Sequence, residues 1–277
     1  MTMIHDIDTN FVYLADKLKE FYPDTFTRLA KLFDEMGIEW GEVPYTNDIW
    51  VRDFMPIQIE GDDFLFYKYY PDYLDNDKER KYITDAHECC KALNINYREV
   101  GTLLDGGNVV ACGDKYVMTC KVENTNDESA LNELKAALNH EVIIIPWHKI
   151  SEEEPFGHSD GFIHWCNGNR VLMNNHRDTD LHEAFAIKGI LNQNGFIVTE
   201  TLFDGIDKHD KELNWAYVNY LQVGNKIIMP AFGIAEDMLA LSLIRKMNPD
   251  CEVRTFRMRD IAHKGGALHC ITWNIKK

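Results

Sequence analysis

A thiol, an imidazole and three carboxylates stand in this sequence where they could carry out nucleophilic chemistry on a cation. Cys270 follows the glycine pair of Lys264-Gly265-Gly266-Ala267-Leu268-His269-Cys270. His158 precedes Asp160 by two residues in Gly157-His158-Ser159-Asp160, a spacing that puts both on one face of an extended strand. Asp53 closes Asn47-Asp48-Ile49-Trp50-Val51-Arg52-Asp53, and Asp105 opens Asp105-Gly106-Gly107-Asn108. The thiolate is the reactive form of cysteine, and surrounding carboxylates disfavour it until a cation arrives. A guanidinium is such a cation: planar, permanently protonated and matched by carboxylates that accept paired hydrogen bonds. Cys270 would attack its carbon, and His158 would protonate the departing ammonia and later take a proton from the attacking water. Hydrolysis of the resulting thiouronium ester would leave a ureido product.

These residues are far apart in sequence, so a repeated framework must bring them together. Four segments, Met55–Tyr69, Asn108–Thr119, Gly161–Asn174 and Val218–Ala231, each read as two β-rich runs around a turn. The turn glycines are Gly61, Gly113, Gly168 and Gly224, at intervals of 52, 55 and 56 residues. Glycine beside Asn or Asp between strand-like runs is a hairpin signal. Helical patterns keep the same interval. Phe26, Leu29, Ala30, Leu32, Phe33 and Met36 form one apolar stripe, ended by Gly37. Leu131, Leu134, Ala137 and Leu138 form another behind the capping candidates Asn126 and Asp127, and further helices are expected from near Lys78, Leu181 and Ala235. The unit is hairpin, helix, linking strand, used five times. Leu268–Ile275 and Phe11–Ala15 read as strands whose partners are missing nearby, so the two are expected to pair and close a ring, removing open sheet edges.

Asp53, Asp105 and Asp160 each lie eight residues before their hairpin glycine. In a ring of equivalent modules they converge on one mouth, where like charges repel unless a cation sits among them. Cys270, read as the start of the closing strand, faces the same mouth. The glycine pairs allow sharp bends or close approach of the backbone.

Composition narrows the partners. A net charge of -16 argues against nucleic acid and favours a cationic substrate through steering. The seven cysteines are scattered, without a C-x-x-C pair, as expected of reduced thiols in the cytoplasm. His87, Cys89 and Cys90 read as helix packing, and neither a metal nor a cofactor is implied. Val142–Pro146 is too short to cross a membrane, and Met1–Asn10 reads as neither a signal nor a transit peptide. One domain over residues 1–277 is expected, and a homo-oligomer is left open.

At these motifs the sequence resembles the agmatine deiminase and bacterial, Porphyromonas-type, peptidylarginine deiminase family. The matching segments are Asn47–Asp53 with Pro56, Asp105–Asn108, Gly157–Asp160, Tyr217–Tyr220 and Gly265–Thr272. The resemblance implies the pentein fold, an α/β propeller of five ββαβ modules. It also implies Cys270 as nucleophile, His158 as acid/base, and Asp53 and Asp160 as guanidinium ligands. Trp50 and Glu154 fall where the family has a pocket-wall aromatic and a substrate-binding acid, and Asn219 matches an active-site asparagine. Trp50 as core packing, Glu154 as part of a solvated acidic run and Asn219 as a partner of backbone groups are the competing readings. Asp105 replaces the family's usual glutamate and is read as lying behind the groups that touch substrate. The expected reaction is deimination of agmatine to N-carbamoylputrescine, with peptidylarginine or free arginine as alternatives, and a non-catalytic binding protein as the remoter one. Two departures bear on the substrate: no N-terminal segment with Trp, Pro and His residues is seen, and Ile271-Thr272-Trp273-Asn274 lacks the family's glutamine and proline.

Overall fold

Short β-rich runs punctuated by turn glycines fold here as strands grouped in five three-stranded sheets. The computed structural model describes residues 3–148, 156–203 and 213–277. Strands β1 (Phe11–Ala15) and β2 (Glu39–Val43) belong to one sheet. The second holds β3 (Ile57–Glu60), β4 (Asp63–Lys68) and β5 (Tyr97–Leu103), and the third β6 (Val110–Cys112), β7 (Lys115–Thr119) and β8 (Glu141–Ile145). The fourth holds β9 (Ile163–Asn167), β10 (Arg170–Met173) and β11 (Ile197–Glu200), and the fifth β12 (Leu221–Val223), β13 (Lys226–Ala231) and β14 (Glu252–Arg257). Finally β15 (Thr272–Ile275) joins β1, completing the first sheet in the order β15-β1-β2.

Each sheet is built alike. An antiparallel pair, a hairpin in every sheet but the first, is followed by helix and then by a strand parallel to the pair's second member. The four hairpin glycines all take positive φ, from 48° at Gly61 to 63° at Gly113, the left-handed backbone that glycine adopts without a Cβ clash. Helix Pro23–Met36 buries Phe26, Leu29, Phe33 and Met36 and stops at Gly37 with φ 61°. Helix Glu128–Leu138 is capped by Asp127, whose side chain accepts from the Ala130 N–H, and buries Leu134 and Leu138 against Tyr116 and Met118. Helices Leu181–Gln193 and Glu236–Met247 pack on their own sheets in the same way. None of the described helices is long and apolar enough to cross a membrane.

The expected ring closure is present: Phe11 pairs with Ile275, Val12 with Asn274 and Leu14 with Thr272, antiparallel. A short turn leads into the first strand of every sheet, and these turns pack on one another around the axis.

Three local expectations are corrected. The helix expected from Lys78 is Ala86–Ala92, capped by Asp85. The Asn76 side chain accepts from the backbone N–H groups of Lys78 and Glu79, a local bond that competes with helix. The closing strand begins at Thr272, because the Thr272 hydroxyl donates to Leu268 O and the Ile271 N–H to Ala267 O. Cys270 therefore sits in a turn and does not begin a strand. Asp160 likewise lies in the 3-10 turn Ser159–Gly161, with His158 as its N-cap, so the two are brought together by a turn and not by a shared strand face. Of the cysteines, Cys89 and Cys90 are buried in core packing, and the His87 ring stacks on Phe66.

Two substitutions separate closure packing from turn strain. Leu14→Ala, at a fully buried position of β1, is expected to cost about 3 kcal/mol. Gly61→Ala, with φ 48° and nothing near its Cβ position, is expected to cost about 1 kcal/mol from backbone strain alone. Urea unfolding midpoints measure both, and equal losses would contradict the assignment.

Candidate active site

Five equivalent turns, one per sheet, carry Asp53, Asp105, Asp160, Asn219 and Cys270 just ahead of β3, β6, β9, β12 and β15. The ring brings all five to its axis, each at most 6% exposed. His158, beside Asp160, lies between two of the aspartates: its Nε2 is 2.9 Å from Asp105 Oδ2 and its Nδ1 is 3.5 Å from Asp53 Oδ1. The Cys270 Sγ lies 3.3 Å from Asn219 Oδ1 and 3.6 Å from Asp160 Oδ2.

Glycines make this crowding possible. A Cβ on Gly107 would stand 2.7 Å from Asp53 Oδ1, 2.9 Å from His158 Nδ1 and 3.2 Å from Asp160 Oδ1. Its N–H donates to Asp53 Oδ1 at 3.1 Å. Asn108 accepts from the Ser159 N–H at 3.2 Å and so fixes the turn that carries His158 and Asp160. Asn219 does the same for the nucleophile's turn. Its Oδ1 accepts from the N–H groups of Ala267 and Cys270, and its Nδ2 donates to Asp160 O. The Asn219 amide is thus occupied by backbone groups as well as facing the thiol.

Burial and charge set the protonation states. Burial, with the charges of Asp160 and Asp53, pushes the Cys270 thiol well above its usual range. Burial also raises Asp53 to about 7, with Asp105 and Asp160 adding to the shift and His158 opposing it. Asp105 feels the same burial, but the hydrogen bond and charge of His158, and then Lys121, outweigh it and bring it down to about 2. Burial works against a charged His158, yet Asp53 and the Asp105 hydrogen bond raise it above its usual value. Burial would raise Asp160 too, but a hydrogen bond from His269 holds it low.

Asp53, His158 and Cys270 line one cavity with Trp50, Tyr73, Phe156 and Lys264. The glycine pair shapes its wall: a Cβ on Gly266 would meet the Trp50 ring at 2.1 Å, and one on Gly265 the Phe156 ring at 2.3 Å. Trp50 is half-buried and packs on the core as well as lining the cavity. Asp105 reaches the site through His158. Glu154 lies outside the described residues.

Four contributors were not singled out from sequence. Buried Lys121 binds Asp105 Oδ2 at 2.9 Å, Asp72 Oδ1 at 3.0 Å and Phe156 O at 3.0 Å. His269 donates to Asp160 at 2.7 Å, Tyr73 walls the cavity, and Arg52 contacts His269 O at 3.4 Å. His269 and Arg52 fall inside matched motifs beside assigned residues. Lys121 offers only the signal of a lysine two residues past the end of β7, and Tyr73 none.

This closed ring of ββαβ modules is a five-bladed α/β propeller, the pentein fold. The agmatine deiminase of C. jejuni superposes with a TM-score of 0.78 at 17% identity, over 99% of this chain and 96% of that one. That of Enterococcus faecalis does so at 0.77 and 17%, over 99% and 95%. In sequence, the agmatine deiminase of Stutzerimonas stutzeri is 25% identical, over 95% of this chain and 85% of its own. The model of the Porphyromonas-type peptidyl-arginine deiminase family matches residues 3–275, and the chain belongs to that family.

The state of the free thiol is directly measurable. Cys270 is expected to be alkylated by iodoacetamide at pH 7 at least about tenfold more slowly than the partly exposed Cys120, since only the thiolate reacts. Peptide mass spectra give both rates. Preferential labelling of Cys270 would overturn the protonation assignment.

Proposed function

We propose that this chain hydrolyses the guanidinium of agmatine, giving N-carbamoylputrescine and ammonia. The observation that carries this reading is the cavity shared by Cys270, His158 and Asp53, with Asp160 against the thiol. Asp53 and Asp160 accept hydrogen bonds from the guanidinium N–H groups, and the bound cation offsets their repulsion of the Cys270 thiolate. As the cation binds, the Cys270 thiol releases its proton to solvent; the thiolate adds to the guanidinium carbon, and His158, protonated between Asp53 and Asp105, gives its proton to the leaving ammonia. Water then attacks the thiouronium carbon and His158 takes one of its protons; Cys270 leaves with the bonding pair, and the remaining hydroxyl proton is lost to the released ammonia or solvent as the ureido carbonyl forms. Asp105 and Lys121 keep His158 oriented, Asn219 seats the Cys270 turn, and Trp50 flanks the substrate. Glu154 is assigned to the substrate's far end on the resemblance alone. The domain spans residues 1–277, and seven free thiols fit action in the cytoplasm.

One observation favours a second reading. Lys264 lines the same cavity and makes no ion pair among the described residues. An ammonium there suits a substrate tail ending in carboxylate, as in peptidylarginine with a free C-terminus or arginine, better than agmatine's second cation.

A panel of agmatine, arginine, peptides with internal or C-terminal arginine, and smaller guanidines separates these readings by ammonia and ureido product. Folded protein that turns over none of them would falsify deimination. Cys270→Ser is expected to lower kcat at least about 10⁴-fold. Because Asp53 must be ionised to bind, with its pKa raised to about 7, and the Cys270 thiol must also lose its proton, kcat/KM should fall at least about tenfold per pH unit below about 7 and change less steeply above it. kcat, measured with the cation bound, should hold to lower pH. A flat kcat/KM down to pH 5 would remove Asp53 from the binding role.

A further inference from the structure

The ring has a second mouth, at the hairpin ends of the sheets. Residues 4–9 cross it. The His5 ring contacts Gly113 O at 2.7 Å, and the Gly224 N–H donates to Asp6 O at 3.2 Å, so this segment is tied to two hairpin turns. It carries Asp6 into the axis. Asp6 Oδ1 accepts from Asn274 Nδ2 at 2.8 Å, and Oδ2 lies 3.6 Å from His269 Nε2 and 3.9 Å from His164 Nε2. A cavity on this side is lined by Asp6, Arg52, His164, His269 and Asn274, and it reaches Asp160 from behind.

His269 therefore stands between two carboxylates on opposite sides. Its Nδ1–H donates to Asp160 Oδ2 at 2.7 Å, the same oxygen that lies 3.6 Å from the Cys270 sulfur. Its other ring nitrogen faces Asp6. We propose that Asp6 is a positioning residue for guanidinium binding: from the far mouth it keeps the His269 ring doubly protonated against Asp160. The remaining oxygen of Asp160, Oδ1, is the one directed toward Gly107, Asp53 and His158.

The charges facing His269 agree with this role. Burial and Arg52 push its pKa down, but Asp160 and Asp6 outweigh them and hold it above the usual value. His164, edge-on to His269 with ring centroids 6.3 Å apart, is itself brought by burial to about 4 and adds no cation near neutrality. Arg52 also binds Asn274, so Asn274 receives the arginine on one side and donates to Asp6 on the other. A group whose folded-state pKa is raised holds its stabilising charge at low pH and loses it as pH rises through that value. Without Asp6 that loss comes at lower pH.

The proposal rests on the guanidinium reading above, and its test keeps the two apart. Asp6→Asn retains an oxygen for Asn274 and removes only the charge, whereas Asp6→Ala removes both. Each is expected to raise KM for agmatine, or for the best guanidine of the panel, by a factor that widens from pH 6.5 and approaches about tenfold by pH 8.5, the limit for about one pKa unit at His269. kcat should stay within about threefold. Asp6→Asn with normal KM beside an impaired Asp6→Ala would reduce Asp6 to a structural plug and overturn the proposal. The ¹⁵N-imidazole titration of His269, assigned with His269→Gln, needs no turnover. Its pKa should fall by about one unit in Asp6→Asn, and an unchanged value overturns the proposal. Protein that processes no guanidine sinks the functional reading, and the titration still decides the coupling.

Discussion

Burying three carboxylates around one imidazole is the condition on which the rest of this structure depends. Two like charges about 4 Å apart repel by about 4 kcal/mol even at an effective dielectric near 20, and each also loses its hydration. The fold answers with separate cations for two of the three. Lys121 binds Asp105, and His269 binds Asp160. Among the described residues, Asp53 has only the His158 that it shares with Asp105, at 3.5 Å, and one backbone N–H. Its raised pKa of about 7 follows. The site is thus short of positive charge at one carboxylate, and a guanidinium supplies a charge of the right shape there.

The ring supplies the geometry that this balance requires. Five turns in equivalent positions point their residues at one axis, so a repeated frame yields an unrepeated set: three acids, an amide and a thiol. Packing at the axis leaves no room for a Cβ at Gly107, and the asparagines at 108 and 219 bind neighbouring turns. The backbone turns ahead of β9 and β15 are thereby each held by a side chain from the sheet before. A carboxylate clamp with this support can hold a planar cation without reorganising.

Much of this was legible in the sequence because the signals were periodic. The spacing of Gly61, Gly113, Gly168 and Gly224 exposed the repeat, and the phase of Asp53, Asp105 and Asp160 followed from it. The pairing of residues 11–15 with 272–275 was legible for the same reason, as strands left over from a regular count. What failed was local. Asn76 diverts its own backbone from helix, and side-chain and backbone bonds around Thr272 turn the chain at Cys270, where apolar pattern suggested strand. Lys121 and Asp6 were invisible for a different reason. A counter-ion is recognised by what it faces, and a lone lysine or aspartate has no spacing that reveals its partner.

The closing pair of strands has a consequence for how the site comes into being. β1 and β15 join residues 258 to 264 positions apart, from Leu14 with Thr272 to Phe11 with Ile275, and the entropy of loop closure weighs most on such a contact. Contacts this non-local form late in folding. The same pairing seats the Cys270 turn ahead of β15 and brings Asp6, just before β1, beneath His269. The nucleophile and the outer counter-ion of the clamp therefore arrive together, in the last step of assembly. Until then a partly folded chain carries acids and an imidazole but no reactive centre.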